Sequence, residues 1–149
     1  MKRAIFGLTA ALLGVASAQA GDNCIGLTAA LTQAEKSVAS NVTSGFRALF
    51  AKAKPEDCGS LGTVLNRIAN RERSGGRRLE DDKPFDATAA QADLDKAVQD
   101  DTVRAQLEAA RSEAPDETTG LIHQAAILDT EGYYAARDLL VAKILQQGR

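Results

Sequence analysis

His123, two cysteines and a run of arginines are the residues whose types and spacing bear on chemistry in this sequence. His123 is the single histidine. A zinc site on one helix needs a second ligand at i+4, and that position holds Ile127. The acids nearest in sequence, Asp116 and Asp129, do not converge with it in any recognisable pattern. A general base is the catalytic role left open to it. With no nucleophile–base pair and no paired carboxylates nearby, it reads as a surface or hydrogen-bonded histidine. The expectation is therefore a protein without catalytic residues, metal ligands or a cofactor.

Cys24 and Cys58 stand 34 positions apart (58 − 24) and form neither a Cys-x-x-Cys redox pair nor a haem-attachment motif. In an oxidising compartment two such cysteines pair for stability. A catalytic thiol would need an imidazole partner, and only His123 is present.

Arg67, Arg71, Arg73, Arg77 and Arg78 are the densest basic feature. Arg71, Arg73, Arg77 and Arg78 are candidates for binding an anion or an acidic partner. Glu80, Asp81 and Asp82 follow closely and favour a self-compensating, solvated segment. Tyr133 and Tyr134 are adjacent, so on a helix they diverge by roughly 100°. One is expected in the core and the other is a candidate partner anchor. Asn41-Val42-Thr43 fits a glycosylation acceptor, relevant only in a eukaryotic secretory pathway.

The chain begins with Lys2 and Arg3, an apolar run from Ala4 to Ala16, and Ala18-Gln19-Ala20. This is the pattern of a cleavable export signal over residues 1–20, and the run is shorter than the roughly 20 residues of a membrane span. The expected mature protein, 21–149, has 149 − 20 = 129 residues, suited to one domain. It carries 18 − 2 basic against 20 acidic residues, a net charge of −4. A mildly acidic chain without tryptophan is a poor match for nucleic acid or an anionic membrane surface. No later segment is apolar enough for stable membrane insertion.

No stretch alternates with period two, and the apolar residues recur at helical spacing, which predicts an all-α fold. Leu27, Leu31, Ala34, Val38, Val42, Phe46, Leu49 and Phe50 mark one face over 27–54, with weak helix formers between Ser40 and Gly45. Pro55 to Gly59 reads as a turn and Leu61 to Asn70 as a short helix. The segment 71–85, with Ser74-Gly75-Gly76 and Pro84, reads as a flexible loop.

A helix then starts near Asp86 or Thr88, where Thr88 and Gln91 fit a capping box. A phase slip at Asp100-Asp101 predicts a kink or break. Asp100, Arg104, Glu108 and Arg111 fit a charge ladder. Glu117 opens the last segment, which is either one helix interrupted at Gly132 or a helical hairpin.

The cysteines constrain this layout. A straight helix over 27–54 would be about 42 Å long at 1.5 Å per residue, whereas a disulfide needs Cα atoms within roughly 7 Å. If Cys24 and Cys58 pair within one molecule, the helix must fold back, and the weak stretch Ser40–Gly45 is the expected break. A continuous helix would leave them free or paired between chains.

The resulting expectation is a small all-α bundle of roughly five to seven short helices, with an N-terminal helical hairpin tied by the disulfide. Its expected role is that of an exported interaction module binding another protein or an envelope component, in the periplasm or outside the cell. A small-molecule-binding bundle is the alternative, and a small enzyme comes third.

Overall fold

The computed structural model describes residues 24, 26–73 and 85–148, of which 71–73 are described by their backbone. The export signal, Arg77 and Arg78 lie outside the described residues, as does most of the expected loop. The described residues form seven α-helices and one short 3-10 helix, with no strand among them. They are α1 (Leu27–Ala34), α2 (Ser40–Phe50), the 3-10 turn Pro55–Asp57, α3 (Cys58–Arg73), α4 (Ala87–Val98), α5 (Asp101–Glu113), α6 (Glu117–Thr130) and α7 (Tyr134–Gln147). Arg71 and Arg73 thus belong to the last turn of α3. Among the described residues no helix is long and apolar enough to cross a membrane.

Cys24 and Cys58 are joined, with Cα atoms 5.3 Å apart, and the chain between them does fold back as a hairpin of α1 and α2. The break lies elsewhere than expected: the chain turns at Glu35–Ala39, and Ser40–Gly45 is the first half of α2. Packing explains the difference. Val42, Phe46, Leu49 and Phe50 keep helical phase and are all buried, so unwinding there would expose the face that holds α2 to the core. Gly45 is a packing residue: a Cβ there would stand 2.9 Å from Ile122 Cδ1 and 3.1 Å from Thr119 Oγ1. The missing side chain lets α2 approach α6. At the turn, Lys36 and Ser37 donate their N–H groups to Gln33 and Ala34, and an ion pair from Arg47 to Glu35 closes it.

α6 is the centre of the bundle and packs against α2, α3, α5 and α7. Its buried positions, Thr118, Thr119, Gly120, Ile122, Ala125, Ala126 and Leu128, go round most of the helix, as expected for an element enclosed by others. Gly132 has φ 89°, and this left-handed residue lets the chain reverse from α6 into α7, giving the hairpin form of the last segment. Gln124 Nε2 donates to Leu107 O at 3.0 Å, tying α6 to α5. Asp93 of α4 accepts from Ala136 N at 3.0 Å and so caps α7 across the fold.

Three successive helices begin on an aspartate. Asp86 accepts from the N–H groups of Thr88 and Ala89, Asp100 from those of Thr102 and Val103, and Asp116 from that of Thr119. Asp86, not Thr88, caps α4, and Gln91 bonds Asp95 instead, because the helix already begins at Ala87 and Thr88 lies inside its first turn, where its own N–H is held by Asp86. The expected break at Asp100 is present. The charge ladder is not, since Asp100 is occupied as a cap and Arg104 pairs with Asp101 at 2.8 Å. Asp100→Ala is expected to cost about 1 kcal/mol and Asp100→Asn much less, measured as urea midpoints. An equal loss from both would mean that charge, and not the cap, matters at this position.

Candidate functional site

A cleft of about 520 Å³, open to solvent on one side, runs between two walls. One wall follows the chain from the end of α2 to the start of α3 and includes Leu49, Lys52, Ala53, Lys54, Glu56, Asp57, Ser60 and Leu61. The other is made by the second half of α5, the link Ala114-Pro115 and a stripe of α6 at helical spacing: Thr119, His123, Ala126, Ile127 and Thr130. The void exists because α5 presents Ala109 and Ala110 to it where larger side chains would fill the space. Ser60 and Thr130 hydroxyls bond across one end and join α3 to α6. The disulfide at Cys58 ties the same end of α3 to the start of α1.

The cleft collects charge from both walls. Asp57, Glu56, Glu113 and Glu131 face it together with Lys52 and Lys54. His123 is half-buried, and desolvation is the main cause of a pKa lowered from 6.5; Asp57 and Glu113 pull it back up, and Lys52 adds to the fall. The unfolded chain therefore takes up this proton at higher pH than the folded chain. Stability falls as pH drops below about 6.5 towards the folded pKa, because protonation there favours the unfolded state. His123→Gln removes that component. Urea midpoints between pH 7.5 and 5 are expected to fall less steeply in the variant than in the wild type. Identical slopes would show that His123 is not held neutral by the fold.

Thr119 also lines the cleft and is 1% exposed, and its hydroxyl finds no hydrogen-bond partner among the described residues. A buried hydroxyl left this way costs about 1–3 kcal/mol. Among the described residues no three His, Cys, Asp or Glu side chains gather as a metal would require.

The structure spreads the other residues singled out in the sequence around the bundle. Tyr133 is half-buried and packs against the core, while Tyr134 is 49% exposed with Arg137 Cζ 5.0 Å from its ring centre. The glycosylation pattern lies inside α2: Thr43 is buried and donates to Ser40 O, and Asn41 Nδ2 donates to Thr118 Oγ1 and Gln147 O. In the folded chain Asn41 is thereby engaged in tying α2 to α6 and α7.

A buried ion network went unread in the sequence. Arg137, 2% exposed, donates from Nε to Asp138 Oδ1 at 3.0 Å and from Nη1 to Asp129. Arg67 Nε approaches Asp138 Oδ1 at 3.8 Å. The available signal was an Arg-Asp pair directly before Leu139-Leu140-Val141, where a core-facing helix has few polar positions to spare.

Fold and cleft together define a small, disulfide-tied helical bundle, with seven α-helices among the described residues and a half-open, charge-lined groove between them. Compared with known proteins, the chain matches no family model, no curated protein and no solved structure.

Proposed function

We propose that this chain is an exported helical binding module that engages a partner macromolecule of the cell envelope or the extracellular space through the cleft between α2–α3 and α5–α6. The cleft carries the reading. It is open along one side, which suits a chain segment laid into it, and its walls combine alanines with charged rims. Among the described residues the large hydrophobics that stand exposed are Val98 and Tyr134, which favours a groove over a broad apolar face as the contact surface. Export is supported by the three-part pattern of residues 1–20 and by the disulfide, a bond that persists in oxidising compartments.

Photo-crosslinking tests the proposal. A crosslinking residue at Gln106, exposed on the cleft, is expected to trap a partner in the envelope of the protein's own cells, whereas the same residue at Lys143 on α7 traps none. Equal trapping from both positions overturns the cleft as the contact site. Intact mass of the trapped protein reads export at the same time, since the mature chain is expected to begin at Gly21. A small-molecule ligand is the second reading, favoured by a volume within the roughly 300–1,000 Å³ of ligand pockets. A low-mass adduct that survives native mass spectrometry would select it.

A further inference from the structure

The cleft lining contains four carboxylates, Glu56, Asp57, Glu113 and Glu131, against the two ammonium groups of Lys52 and Lys54. Asp57 is engaged locally, accepting from Lys54 N at 3.3 Å. The carboxylates of Glu113 and Glu131 pair with no lysine or arginine among the described residues. These two belong to the ends of different helices, α5 and α6, and face one void. Alanines leave room for an aliphatic stem, and a lysine or arginine side chain has such a stem beneath its charge.

We propose that the cleft binds a basic segment of a partner protein, seating one lysine or arginine side chain beside Asp57, Glu113 and His123 while Glu131, past the far end of α6, meets a second basic residue of the same segment. This rests on the cleft being the binding site. The occupant's charge complements the excess of carboxylates, so it is drawn in at low salt and released as salt rises. It also opposes protonation of His123, which shares the cleft with Lys52 and Lys54 as well as with the four carboxylates.

His123 is the only histidine, so its ring C–H resonances report on the cleft without ambiguity. The full, oxidised protein is titrated with an alanine-based octapeptide carrying two arginines, with its two-glutamate counterpart, and with spermidine. The arginine peptide is expected to shift the His123 signals and to move their titration midpoint to lower pH, with the other two probes much weaker. Glu113→Gln with Glu131→Gln is expected to weaken the arginine peptide about fivefold to tenfold, and Ala109→Phe, which fills the void without changing charge, is expected to abolish binding. Circular dichroism checks the fold of each variant.

If the glutamate peptide shifts the signals equally, or the double carboxamide variant binds unchanged, the cationic inference is overturned while the cleft stands. Spermidine binding as tightly as the peptide overturns a partner-protein segment as the source. Should no probe move the His123 signals, or should Ala109→Phe bind undiminished, the cleft reading falls and takes this inference with it.

Discussion

Arg137→Ala is expected to destabilise the protein by about 3–5 kcal/mol, which lowers the melting temperature by about 10–20 °C. Arg137 is 2% exposed and its guanidinium joins Asp129, at the end of α6, to Asp138 on α7. Removing it leaves two carboxylates, 14% and 8% exposed, close to one another in a region of low dielectric. The main cost is the desolvation of Asp129 without its cation, not the loss of the pair's own attraction. Arg137→Lys should fall between, because one ammonium cannot serve two carboxylates in a fixed fork and stack on Tyr134 as well. Adding Asp129→Asn to Arg137→Ala should recover part of the loss, since one uncompensated charge is gone and Asp138 keeps Arg67 nearby. A loss below about 1 kcal/mol for Arg137→Ala would mean that water reaches the site and the network is not a buried one.

That network illustrates where reading the sequence stops. Helix is written in the spacing of apolar residues, and the breaks at Asp100 and Gly132 are written in cap and turn chemistry, so the number and order of elements were accessible. The hairpin followed from a distance argument on Cys24 and Cys58. Its turn was misplaced because propensity and packing disagreed. Ser40–Gly45 looks like poor helix, but Gly45 is there to let α6 come close, and Val42 and Phe46 are completely buried. The true turn, Glu35-Lys36-Ser37-Val38-Ala39, contains neither glycine nor proline to announce it.

The cleft was hidden for a different reason. Its walls come from residues 49–61, 106–115 and 119–131, three stretches whose proximity is a property of the assembled bundle. His123 was picked out for its chemistry, but Glu113 and Asp57 were ordinary surface acids until the fold brought them towards it. α6 defeats periodicity altogether. A helix surrounded on most sides has no polar face to contrast with its apolar one, so its central place in the bundle leaves little trace in the pattern.

The disulfide carries the second large effect. Cys24→Ser with Cys58→Ser is expected to cost about 3–4 kcal/mol, the chain-entropy value for a loop spanning a sequence separation of 34. The oxidised protein should run as a monomer on non-reducing gels with no free thiol after unfolding; a reducible dimer would contradict the intramolecular bond. Two further readouts separate the causes of the loss. If the bond acts by restricting the unfolded chain, the denaturant slope should rise in the variant, because the freed chain exposes more surface. If it also holds the native structure, amide exchange should accelerate in α1 well before α7. α1 is the element with most to lose: Leu27 lies against Gly62 and Leu31 is buried, yet it packs on α2 and α3 alone among its main contacts. Cys58 opens α3 directly after the 3-10 turn that supplies Glu56 and Asp57 to the cleft. Loosening that anchor should therefore reach the cleft wall, and the ring signals of His123 should shift or broaden in the double serine variant. Unchanged His123 signals together with a full 3–4 kcal/mol loss would assign the bond's whole effect to the unfolded state.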